Sequence, residues 1–171
     1  MKLNGKKVSI RTPKPDELNF IKELWTDPKT MKEVGGIVKI NKSSAQKWYK
    51  KMVDPEDGKN HYFLIFNSDK ETVGEVSFHR FDPKRKVADL NIKVKYEHRG
   101  KGYGREALNL LLDFYFNEFE GKIMQDKVAA NNQVGKSVLT KFGFNKKITT
   151  KDFDLYIMTK DRFNDLYKNN N

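Results

Sequence analysis

The stretch from Val87 to Leu112 constrains this chain most: an alternating strand, a glycine loop and then a helix without a breaker. Val87, Leu90, Ile92 and Val94 occupy strand-type apolar positions, with Asp89, Asn91 and Lys93 alternating between the last three. That period suits a strand with one buried face. Glycines at 100, 102 and 104 follow, and Arg105-Glu106-Ala107-Leu108 opens the helix. Glycines let backbone approach a ligand closely, and the first N–H groups of a helix have no intrahelical partner. Strand, loop and helix together therefore offer an anion site. Spacing chooses among the loops that share this logic. A dinucleotide fingerprint needs its third glycine where Arg105 stands, and a P-loop needs Ser or Thr after Gly100-Lys101, where the chain has Gly102. Both readings fail.

What fits is Arg99-x-x-Gly102-x-Gly104, which resembles the Arg/Gln-x-x-Gly-x-Gly/Ala loop of the GNAT superfamily of N-acetyltransferases. A second segment follows in the order this family requires: Lys127-Val128-Ala129-Ala130 as a short strand, then Asn132 opening a helix that ends in Gly143-Phe144. The resemblance implies an α/β, single-domain acyl-CoA N-acyltransferase fold with a mixed, mostly antiparallel sheet flanked by helices. It also implies that acetyl-coenzyme A is the co-substrate and that no metal is required. The backbone from Arg99 through Gly100, Lys101, Gly102, Tyr103 and Gly104 would hold the pyrophosphate, and Ile92, Lys93 and Val94 would lie along the pantetheine. Asn132 would hold the pantetheine or acceptor-side backbone through its amide, a role compatible with capping its helix. The specific motifs lie between about Val87 and Phe144. Trp25 followed by Asp27-Pro28, Trp48 and Gly74-Glu75 resemble the branch that contains the ribosomal-protein-alanine and spermidine N-acetyltransferases.

At 171 residues the chain has the size of one domain, taken as residues 1–171. It contains no cysteine, which excludes disulfides, thiolate metal sites and an acyl-cysteine intermediate. No stretch has the pattern of a signal peptide or the length of a membrane span, so a cytoplasmic protein is expected. The net charge of +11 admits ribosomal or RNA partners. Its scattered lysines, however, read as a solvated surface, so direct nucleic-acid binding is not expected. The same charge weighs against a polyamine acceptor, since a polycation is repelled at long range.

Along the chain, Val8–Arg11 reads as a first strand, Asp16 as the cap of a helix to Trp25, and Ser43 or Ser44 as the cap of a helix to Met52. By resemblance, these helices and the loop between them, about residues 16–53, flank the acceptor. Trp25 and Trp48 read as core residues. A turn at 54–58 leads to strands at 62–66, 73–81 and 87–94, which form an antiparallel meander. A helix that is apolar on more than one side runs to Gly121. Strands at 144–149 and 152–159, a last helical turn from Asp161 and a fraying end at 169–171 complete the chain.

The implied chemistry is direct attack of a neutral amine on the thioester. Many family members have a Tyr four residues before the glycine of the Gly-Phe pair, and some have a Ser three residues after the Asn. Here those positions are Leu139 and Gly135, so both usual proton donors are missing, and Ser137 lies on a different helix face. Thiols have a pKa near 8.5, so the thiolate can still leave at neutral pH. Glu75 and Asp89 are the first candidates for a base acting through water, ahead of His79 and His61; Glu75, Ser77 and His79 share a strand face. An α-amine, with pKa about 7.7–8.0, is partly neutral at pH 7, whereas a lysine-like amine near 10.4 is almost wholly charged. A chain without an obvious base suits the weaker amine. The expected acceptor is therefore a peptide or protein α-amine, including a ribosomal protein, or an amino sugar. A polyamine or aminoglycoside is the alternative, and a catalytically silent RNA-, ribosome- or coenzyme A-binding module the alternative outside enzymes. A homodimer is left open.

Overall fold

The computed structural model describes residues 1–54 and 57–169. Its layering follows from two strands buried on both faces: β3 (His61–Asn67) and β4 (Thr72–Asp82). Alternation sends Phe63, Ile65, Val76 and Phe78 into one core and Tyr62 and Leu64 into another on the opposite face. β5 (Val87–Val94) extends this antiparallel meander. On its outer side stand β1 (Lys2–Asn4) and β2 (Val8–Arg11); beyond β5 come β6 (Ile123–Ala129), β7 (Asn145–Thr149) and β8 (Phe153–Thr159). Among the described residues these form an eight-stranded sheet in the order β1-β2-β3-β4-β5-β6-β8-β7. Each neighbouring pair is antiparallel except β5 and β6, which are parallel. The outermost strand, β7, is exposed at every position and carries Lys146 and Lys147.

One face is covered by α4 (Tyr103–Asp113), whose Ala107, Leu108, Leu111 and Leu112 are fully buried. The next turn, Phe114–Glu118, widens to π geometry, with Phe119 N–H donating to the Phe114 carbonyl at 2.8 Å. The wider turn rotates the helix surface, so that the consecutive aromatics Phe114, Tyr115 and Phe116 are all buried. This explains why the helix reads as apolar on more than one side. Tyr115 needs the bare Gly121 beside it, because a Cβ there would sit 2.2 Å from its ring. α5 (Gln133–Phe142) and α6 (Lys160–Tyr167) add Leu139, Phe142 and Phe163 to this core.

The opposite face is covered by α1 (Leu18–Thr26), α2 (Pro28–Met31) and α3 (Lys42–Met52). Trp25 and Trp48 pack edge to face at 5.4 Å, and Trp48 meets the Tyr62 ring at 5.1 Å. Both indoles are only partly buried.

Several local expectations are corrected. Asp16 caps no helix: a 3-10 turn over Pro15–Glu17 precedes α1, and the Glu17 carboxylate takes the Lys14 N–H at 2.7 Å. Asp27 ends α1 but also starts α2, accepting from Thr30 N–H. The cap of α3 is Asn41, whose Oδ1 takes the Ser44 N–H at 2.8 Å, so neither serine is the cap. β6 begins at Ile123 rather than Lys127, and β1 escaped the sequence reading. The turn at 54–58 and the fraying end lie partly outside the described residues. No described helix is long and apolar enough to cross a membrane.

Leu111, fully buried where α4 meets the sheet, is expected to cost about 2–5 kcal/mol when truncated to alanine. Urea unfolding measures this as a lower midpoint at unchanged slope.

Candidate active site

β5 and β6 pair only from Val87–Ile123 to Asp89–Gln125. Past that point each strand continues without the other, and a cleft of about 670 Å³ opens between them. Leu90 to Val94 form one wall, Asp126 to Ala129 the other, and the glycine loop and the start of α5 close its ends.

Gly102 is the N-cap of α4 and has a left-handed backbone, φ 86°, as does Gly100 at φ 77°. The first helical bond runs from Glu106 N–H to the Gly102 carbonyl at 3.1 Å. The N–H groups of Tyr103, Gly104 and Arg105 precede it and have no carbonyl behind them. At Gly104 a Cβ would lie 3.2 Å from the Val94 side chain, so the helix can approach β5 only because that residue is bare. The cradle of free N–H groups at a helix N-terminus fits a diphosphate.

The sequence reading places ten residues at the cofactor, and the fold gathers Ile92, Lys93, Val94, Arg99, Gly100, Gly102, Tyr103, Gly104 and Asn132 along this cleft. Lys101 does not line it; its carbonyl accepts from Lys7 Nζ at 3.4 Å. The Arg99 guanidinium turns to the protein, donating to Val94 O at 3.1 Å and Thr30 O at 2.8 Å and pairing with Glu33 at 3.3 Å. It thereby fastens the loop to α2 and the residues after it. Asn132 caps α5 through Oδ1, which accepts from Gly135 N–H at 2.8 Å. A side chain at Gly135 would collide with this cap, its Cβ falling 2.7 Å from Asn132 Nδ2.

The two candidate carboxylates are separated. Glu75 is fully buried and accepts from Trp25 Nε1 at 2.8 Å, Lys93 Nζ at 2.8 Å, Asn91 Nδ2 at 3.0 Å and the Tyr62 hydroxyl. Burial and that carboxylate push the Tyr62 phenol well up. Asp89 is held outside the cleft wall by Arg80 at 2.6 Å and Gln125 at 2.7 Å. His79 Nδ1 and Ser77 Oγ are buried with no hydrogen-bond partner among the described residues, and burial lowers the His79 pKa. His61 faces the core under α4, 4.9 Å from the Phe78 ring, and burial lowers its pKa too.

Two side chains escape the sequence reading. Lys7, on the turn between β1 and β2, places Nζ 3.3 Å from where a Gly102 Cβ would stand. The Glu106 carboxylate holds that turn in place by accepting from the N–H groups of Lys6 and Lys7. No local pattern joins positions so far apart in sequence. Asp126 lines the cleft at the fork, and burial, aided by Asp89 and opposed by Lys93, pushes its carboxyl up to about 7. Among the described residues no group of three His, Cys, Asp or Glu is placed to hold a metal.

Gly104→Val is expected to weaken acetyl-coenzyme A binding at least about tenfold, or roughly 1.4 kcal/mol, in a calorimetric titration. Asp126 has a folded pKa above its unfolded value of about 3.9. Its contribution to stability is therefore complete below about pH 4 and is lost as pH rises towards 7. Asp126→Asn should gain stability over the wild type across that window and hold the gain above it, as read by thermal melts at several pH values.

The description "Acetyltransferase (GNAT) domain" matches residues 7–145. An uncharacterized N-acetyltransferase p20 of Bacillus licheniformis is 22% identical over 167 residues, covering 96% of this chain and 92% of the relative. A ribosomal-protein-serine acetyltransferase of Escherichia coli K12 is 28% identical over 127 residues, 74% of this chain and 63% of the relative. A spermidine N-acetyltransferase from Vibrio cholerae, solved in complex with CoA and spermine, superposes with a TM-score of 0.81 at 18% identity, covering 92% of this chain and 98% of that one. With the glycine cradle, the forked sheet and a family match over most of its length, the chain belongs to the GNAT acetyltransferases and is an N-acetyltransferase that uses acetyl-coenzyme A.

Proposed function

We propose that the acceptor is an amine of low basicity, the α-amine of a peptide or protein, and that the acetyl group passes to it directly. The observation that carries this reading is the state of the carboxylates on the acceptor face. Glu75 and Asp89 are each engaged by donors, and Glu33 is paired with Arg99. A polyamine needs open negative charge to offset its own. Here the approach meets the Lys93 ammonium, fixed by Glu75 at 2.8 Å and Asn91 at 2.6 Å. An α-amine, already partly neutral at pH 7, needs no strong base. The acceptor named for the Escherichia coli relative, a ribosomal-protein serine, is in keeping with this reading.

In this reading the loop N–H groups from Tyr103 to Arg105 hold the diphosphate, with Lys7 adding positive charge. Leu90, Ile92 and Val94 exclude water along the pantetheine. The donor supplies an acetyl carbon made electrophilic by its thioester. Glu75 acts by holding Asn91 and Lys93 in place and takes no proton itself, since accepting one would displace a donor it already has. The sequence contains no cysteine, in keeping with direct transfer.

The test is release of free coenzyme A thiol with a serine-initiated peptide, glucosamine, an aminoglycoside and spermidine as acceptors. The peptide is expected to give the highest kcat/KM, and a preference for spermidine would overturn the reading. Glu75→Gln should raise the acceptor KM more than it lowers kcat, and should leave the pH profile in place.

A further inference from the structure

A departing thiolate gathers negative charge on sulfur, and a proton supplied there lowers the barrier. Leu139 and Gly135, which stand where many family members have a Tyr and some a Ser, have no hydroxyl to give. A carboxyl lines the cleft at the first position past the last ladder pair. β5 and β6 pair for the last time at Asp89 and Gln125, so Asp126 is the first residue of β6 beyond the pairing, and it lines the cleft together with Leu90 and Leu139. From Val94, beside the glycine loop, to Leu90, β5 spans about 13 Å at roughly 3.3 Å per residue. A donor anchored by its diphosphate and extended along β5 therefore carries its sulfur towards the fork. The Asp126 carboxyl is met there by the Lys127 N–H and by no side-chain hydrogen bond among the described residues.

We propose that Asp126 is the general acid of the reaction, giving its carboxyl proton to the coenzyme A sulfur as the carbon–sulfur bond breaks. The electron pair of that bond stays on sulfur and takes the proton, so coenzyme A leaves as a neutral thiol. The amine loses one proton as the new carbon–nitrogen bond forms. That proton returns through water to the Asp126 carboxylate, which is thereby reset.

The surroundings suit a carboxyl that exchanges a proton near neutral pH. Burial is the main cause, the Asp89 carboxylate on β5 adds to it, and the Lys93 ammonium opposes it. Arg105 enters the cleft from α4, and Tyr156 of β8 stands in register with Asp126. On the α5 side, Val138 and Leu139 contribute no charge. The ammonium of Lys127, on the same strand, belongs to the neighbouring position of the wall.

This inference rests on acetyl transfer in the cleft and not on the choice of a peptide acceptor. Its first test needs no acceptor: the thiol of bound coenzyme A is titrated by its thiolate absorbance in the wild type and in Asp126→Asn. An ionised Asp126 beside the sulfur should hold the bound thiol above its ordinary pKa of about 8.5, and the substitution should bring it down by one pH unit or more. The same titration in both proteins, at equal coenzyme A affinity, would overturn the proposal. With the serine-initiated peptide, wild-type kcat should fall as pH rises through about 7, the value set by Asp126. Asp126→Asn should be at least about tenfold slower below that pH, a loss within the range usual for a general acid, and should lack the decline. Asp126→Glu, which keeps a carboxyl, should restore the decline, and it serves also if the asparagine variant folds poorly. Unchanged kcat and pH profile in Asp126→Asn would refute the role. A peptide that is not turned over would count against the acceptor reading alone, and the thiol titration would still decide on Asp126.

Discussion

The cleft exists because two parallel strands stop pairing. β5 and β6 share a ladder only as far as Asp89 and Gln125, and the residues that line the cleft are arranged around their parting. Strands that separate leave N–H and C=O groups without strand partners, and such groups need others. A ligand carrying amides, as the pantetheine arm does, matches that need. The fork is held from both sides: α4 packs Leu108, Leu111 and Leu112 against the sheet, and β8 pairs with β6 along its full length from Ile123 to Ala129. The opening is a feature of rigid elements, not of a loose loop.

Much of this arrangement is legible in the sequence, and what is missed is missed for definite reasons. β5 reads clearly because polar and apolar residues alternate strictly from Asp89 to Val94. The loop reads because left-handed backbone, φ of 77° and 86°, favours glycine. β1 does not read, since Lys2-Leu3-Asn4 has one apolar residue and no period. Asp16 resembles a cap locally, yet the Glu17 carboxylate reaches back to the Lys14 N–H and moves the start. Starting β6 at Lys127 leaves Asp126 outside the strand, so its place at the fork is invisible until the ladder from Ile123 is known. Lys7 and Glu106 meet only through tertiary packing, which no local pattern encodes.

Glu75 shows how little of a carboxylate's surroundings its strand face reveals. The sequence gives its strand face but not its company. Four donors surround it, from α1, β3 and β5. Breaking such a cluster leaves uncompensated polar groups behind. Gly135 makes a similar point from the other side: the hydroxyl found in some relatives at this position is absent where its Cβ would strike the Asn132 cap.

The sheet ends on one side at β7, where Lys146 and Lys147 stand on a strand open to water, and on the other at the three residues of β1, which begin with Lys2. A free strand edge invites another chain to continue the ladder, and short edges bearing ammonium groups discourage it. A protein that leaves two of its central strands partly unpaired to make room for a ligand thus guards its outer edges against unwanted neighbours by charge and brevity.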